Sequence, residues 1–67
     1  MKRPQQDLFL TGLAIERART GDPDAGLLLM HYERAFQQLD AAESHTTREL
    51  ACLTIEECET KLRKLVG

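Results

Sequence analysis

His31, His45, Cys52 and Cys58 are the side chains of this chain best suited to holding a metal ion or attacking an electrophile. A structural zinc site takes its ligands in close pairs, as C-x-x-C or H-x-x-x-H, because each pair must reach one ion from one turn or one helix face. Neither spacing occurs in the chain. Cys52 and Cys58 are six apart, which on one helix is about 9 Å of rise and two different faces, so they do not bridge each other. Cys58 reads as a small buried hydrophobe, Cys52 and His31 as flank residues and His45 as a loop residue. Asp22 and Asp24 read as helix-capping acids rather than catalytic carboxylates. There is no glycine-rich phosphate loop, no nucleophile elbow and no histidine spaced to serve a nucleophile. The expectation is a protein without catalytic residues, cofactor or metal.

Composition narrows the class further. Sixty-seven residues, 42% hydrophobic and 30% charged, suit a single folded domain spanning 1–67 rather than a disordered chain. A core of that size rarely supplies more than about 3–5 kcal/mol, so a second subunit or a partner is expected to help. Nine basic and eleven acidic residues are spread along the chain, with no basic face to meet nucleic-acid phosphates. The densest basic run, Lys61, Arg63 and Lys64, falls at a predicted helix C-terminus, where cations offset the carbonyl end of the macrodipole. No apolar stretch approaches the ~18 residues of a membrane span. The opening MKRPQQDLFL lacks the sustained apolar region of a signal peptide, and no disulfide framework is visible, so the expected setting is the cytoplasm.

The elements follow from periodicity and breakers. Residues 1–4 read as a frayed end, followed by an N-terminal helix over about 5–19 with apolar residues at Leu8, Leu10, Leu13, Ala14, Ile15 and Ala18. Gly12 inside it either bends the helix or admits a close crossing. Thr20-Gly21-Asp22-Pro23 ends one helix and caps the next. The second helix, about 23–43, carries the seam Leu28, Tyr32, Ala35, Leu39 and Ala42; a third, about 46–66, carries Ala51, Ile55, Cys58, Leu62 and Leu65. Both seams are spaced 4, 3, 4, 3, the signature of one helix face. In a continuous helix they would face opposite ways, so the chain reverses near His45. Thr46 with Glu49 matches a capping box there, and Thr54 with Glu57 is the weaker alternative. Folding back around residue 45 sets Leu39 level with Ala51, Ala35 with Ile55, Tyr32 with Cys58, Leu28 with Leu62 and Ala25 with Leu65, large mostly against small. Glu57–Lys61 and Glu59–Arg63 are expected i, i+4 pairs on the solvated side. The fold class is therefore all-α: an antiparallel helical hairpin with an N-terminal helix beside it, a small three-helix domain.

More apolar residues exist than two seams require. Phe36, Leu50 and Leu53 gather toward the hairpin turn, where only Leu8 and Phe9 of the first helix reach, so some apolar surface is expected to remain open. Leu29, Phe36, Leu50 and Leu53 are the expected partner-binding residues. The function expected from them is a non-enzymatic protein–protein interaction module, such as a small chaperone, an inhibitor or anti-activator, or an assembly subunit. It would work as a homodimer or with a partner protein by burying an apolar helix face. The alternative is a small helical DNA-binding transcriptional regulator. Against that alternative, a recognition helix opening with Asp22 and Asp24 would turn acids toward phosphate.

Overall fold

The computed structural model describes residues 4–67 and contains three α-helices: α1 (Leu8–Arg19), α2 (Pro23–Ala41) and α3 (His45–Val66). Each begins on a side chain that satisfies a backbone N–H left over by the first turn. Asp7 accepts from the Leu10 N–H at 3.0 Å, Asp22 from the Asp24 N–H at 3.1 Å, and Ser44 from the Thr47 N–H at 3.2 Å. The first helix therefore starts three residues later than the apolar pattern alone predicts, because Asp7 takes the cap. Pro4 lies outside any helix; the rest of the frayed end expected over residues 1–4 falls outside the described residues.

Between α1 and α2 the chain turns as expected. Gly21 has φ +97°, a left-handed conformation that costs glycine little and other residues much. Pro23 opens α2, and Arg17 Nε reaches back to Asp22 Oδ2 at 3.3 Å across the turn. The second turn differs in detail from expectation. Ser44, not Thr46, caps α3, so His45 is its first residue rather than a loop residue. Glu49, assigned to the Thr46 box, instead meets His45 Nε2 at 2.9 Å one turn away. Thr54 caps nothing, since its hydroxyl donates to the Leu50 carbonyl within α3 at 2.9 Å. Of the two expected charge pairs, Glu59–Arg63 forms at 3.8 Å, and Glu57 and Lys61 make no ion pair among the described residues.

The two seams meet to form the core. Ala25, Tyr32, Ala35 and Leu39 of α2 are buried, as are Ala51, Ile55, Cys58 and Leu62 of α3. Leu28, Ala42 and Leu65, at the seam ends, are half-buried. The hydroxyl of Tyr32 bonded to Glu59, one position beyond Cys58, fixes the register at the expected level. The N-terminal helix adds only Leu10, Thr11 and Ala14 to the buried set. It runs unbroken through Gly12, and a Cβ added there would meet nothing within 4 Å, so Gly12 neither breaks the helix nor sits at a close crossing.

Two outcomes follow for urea unfolding. Ile55→Ala, at a site 1% exposed, should cost about 2–5 kcal/mol, enough to unfold most of a domain this small. Gly12→Ala should instead stabilise by roughly 0.5–1 kcal/mol, because it removes unfolded-state freedom without a clash.

Candidate functional site

Tyr32 is fully buried and is one of the three largest side chains in that state. A buried phenol needs partners for its hydroxyl, and here it has both kinds. The Asp7 backbone N–H donates to it at 2.8 Å, and the hydroxyl donates to Glu59 Oε2 at 2.7 Å. Asp7 continues the network, its carbonyl accepting from Thr11 Oγ1 at 2.8 Å, while Gln6 Nε2 donates to that hydroxyl at 3.1 Å. On its other side the Tyr32 ring meets Phe36 edge-on, 5.1 Å between centroids, a favourable aromatic geometry. Burial chiefly pushes the Tyr32 pKa up to about 12; the Asp7 N–H opposes the rise and the Glu59 carboxylate adds to it. This phenol holds three helices together rather than moving protons at neutral pH.

The same bond sets where α1 begins. Asp7 sits level with Tyr32 and Glu59, midway along the hairpin, and α1 runs from there toward the residue 21 turn. Its 12 residues span about 18 Å, against about 28 Å for the 19 of α2 and about 33 Å for the 22 of α3. Over the half nearer the residue 43 turn no third helix lies on the hairpin among the described residues. An open groove of about 680 Å³ occupies that space, with Leu39, Ala42, Cys52 and Leu53 along it. Its rim carries Asp40, Glu49 and Glu56 against Arg48 and His45, and Pro4 stands at its border. Only Leu39 of these belongs to the buried core.

The expected partner-binding residues divide into two pairs. Leu29 and Phe36 are half-buried and pack against the core. Leu50 and Leu53, 59% and 60% exposed, stand three residues apart on α3, and of the two Leu53 borders the groove. Leu8 and Phe9, the only first-helix residues expected to reach that end of the molecule, are themselves 76% and 78% exposed. Sequence reasoning missed the groove and missed Asp7. The Asp7 cap had a legible signal, an aspartate directly before an apolar run; the groove had none, since it depends on where α1 docks.

The four residues suited to chemistry are separated rather than gathered. His45 and Cys52 border the groove, whereas His31 and Cys58 border a smaller slot of about 260 Å³ between α2 and α3 with Arg34, Glu57 and Lys61. Among the described residues no three of His, Cys, Asp and Glu converge as metal ligands. Burial raises the Cys58 pKa, with Lys61 opposing and Glu57 and Glu59 adding to the rise, so the thiol stays protonated. No described helix is long and apolar enough to cross a membrane. Compared with protein-family models, curated proteins and solved structures, the chain matches none.

Tyr32→Phe should destabilise the fold by roughly 1–3 kcal/mol in urea at pH 7, because the Asp7 N–H and the Glu59 carboxylate lose their shared partner inside the protein. The pH dependence has a definite sign. With the folded pKa about 12 against 10.0 unfolded, the unfolded chain loses the proton first. Stability from this group is complete below pH 10 and falls as pH rises toward 12, by about 2–3 kcal/mol in all. Tyr32 is the only tyrosine, so absorbance at the phenolate band follows it alone. The difference in alkaline melting between the native chain and Tyr32→Phe isolates its contribution.

Proposed function

We propose that this protein is a non-enzymatic protein–protein interaction module that works by burying apolar helix surface against a second protein chain. The observation that carries the reading is an imbalance of apolar residues. Among the described residues eight large hydrophobic side chains are exposed, Leu8, Phe9 and Leu53 most of all, while Tyr32, Ile55 and Leu62 are the largest fully buried ones. Scattered exposed leucines are ordinary on a protein surface; several on short helices of one small domain, beside an open apolar groove, are the pattern of an interface. Helix-on-helix or helix-in-groove burial is the mode that such a surface supports. A chaperone, an inhibitor or anti-activator, and an assembly subunit are the roles compatible with it. Free Cys52 and Cys58 support a reducing, cytoplasmic setting.

Native mass spectrometry of the tagged chain recovered from its own cells tests the reading, with Leu50→Glu/Leu53→Glu as the comparison. The native chain should emerge in a complex of fixed stoichiometry, with another protein or with itself. The variant should keep its helicity by circular dichroism and lose the complex. A native chain recovered only as a free monomer, with the variant behaving identically, would refute the reading.

A further inference from the structure

We propose that α1 is a strap that detaches from α2 and α3 and melts as one unit, released at the Asp7–Tyr32 hydrogen bond and tethered by the residue 21 turn, while the hairpin stays folded. The inference goes beyond the interaction-module reading and does not depend on it.

The polar network around Tyr32 divides at a single bond. Asp7 Oδ1 accepting from the Leu10 N–H, the Asp7 carbonyl accepting from Thr11 Oγ1, and Gln6 Nε2 donating to that hydroxyl all join residues of the strap to one another. The Tyr32 hydroxyl donating to Glu59 Oε2 joins α2 to α3. Of these bonds, the one from the Asp7 N–H to Tyr32 Oη, at 2.8 Å, crosses from strap to hairpin. Breaking it hands the Asp7 N–H and one side of the phenol oxygen to water, and leaves the phenol its carboxylate. Opening therefore strands no polar group inside the hairpin.

Apolar burial divides in the same place. Leu10 is the one large side chain that α1 buries, with Ala14 and Thr11 beside it; Leu8, Phe9, Leu13 and Ile15 are exposed even while it is docked. The hairpin seam holds Tyr32, Leu39, Ile55 and Leu62, and stabilisation scales with the apolar area removed from water. Nor does α1 hold itself once detached. Twelve residues are marginal as an isolated helix, and Gly12 in the interior weakens this one further. Detachment and melting are thus one event. The hairpin keeps its own start, since Pro23 opens α2 and Asp22 Oδ1 accepts from the Asp24 N–H. Exposed Thr20 and Gly21 carry the chain between the two units. The open form adds the hairpin face beneath Leu10 and Ala14 to the apolar surface that the molecule offers, and that face continues into the groove.

Hydrogen exchange of the full chain, followed amide by amide by NMR in a series of low urea concentrations, tests this. The α1 amides from Gly12 to Arg19 should share one opening, with protection roughly tenfold or more below that of the slowest α3 amides. Their urea dependence should be shallower, because detachment exposes less surface than unfolding. Leu39→Val trims the core in the half of the hairpin that α1 does not reach. It should lower the protection of the slowest α3 amides about fivefold and leave that of α1 unchanged, since the docked and open forms lose the same contact. Tyr32→Phe should lower α1 protection on the order of tenfold, by one factor from Gly12 to Arg19. α1 amides that share the protection and urea dependence of the slowest α3 amides, or that fall with them in Leu39→Val, overturn the proposal. A loss of protection in Tyr32→Phe confined to the first turn of α1 overturns it as well, since that is the mark of a fraying end. Where a variant does not fold, the urea series of the native chain decides.

Discussion

A phenol that is fully buried must find both a donor and an acceptor within the protein, and the fold of this chain follows from how Tyr32 does so. Its hydroxyl accepts from the backbone at the start of α1 and donates to a carboxylate on α3, while its ring lies in the α2 seam. One side chain therefore sets the level of all three helices. Apolar seams alone leave a helix able to slide by a turn at modest cost, whereas a hydrogen-bonded hydroxyl loses both partners on any slip. The position of Asp7 is the direct consequence. The length of hairpin that α1 leaves uncovered is the indirect one.

The core built around that bond is made of unequal parts. Ala14, Ala25, Ala35 and Ala51 occupy buried positions where bulk would hold the helices apart, and Ile55, Leu62 and Leu39 fill the space they open. Alternation of this kind gives dense packing from little material. It also limits how much apolar area the fold removes from water, since an alanine buries little. Other large apolar residues then lie outside, on all three helices: Leu8, Phe9, Leu13 and Ile15 on α1, Leu27 and Met30 on α2, and Leu50 and Leu53 on α3. Small buried residues and large exposed ones are two results of the same packing solution.

The hairpin was legible in the sequence because its information is local and periodic. Spacings of 4, 3, 4, 3 give the face, the Gly21-Asp22-Pro23 run gives one turn, and the phase change after Ala42 gives the other. Even so, Ser44 rather than Thr46 takes the cap. Both offer a hydroxyl, and only the phase of the first helical turn separates them. For α1 the pattern was uninformative in principle. Apolar residues at Leu8, Phe9, Leu10, Leu13, Ala14 and Ile15 surround the helix, so no face announces itself. The face buried is the one carrying Leu10, Thr11 and Ala14, and it is selected from a distance, by the Tyr32 hydroxyl 25 residues away from Asp7. The groove inherits that non-locality, and Leu8 and Phe9, the first-helix residues within reach of that end, are exposed apolar surface themselves.

The weak grip on α1 would tie any association at that helix to folding. Its attachment to the hairpin rests on two buried apolar side chains, Thr11 and the one hydrogen bond from Asp7, far less than the seam that joins α2 to α3. Such an element opens more readily than the rest of the domain. A chain that covers Leu8, Phe9 and the groove together would add contacts to the helix that has fewest. Because it binds the docked form and not the open one, it stabilises the whole domain by mass action, by about 2.7 kcal/mol when present at a hundredfold excess over its dissociation constant. For a domain of this size that is comparable to the stability its own core supplies. Apolar surface left open on α1 is thus where an added contact would strengthen the fold most.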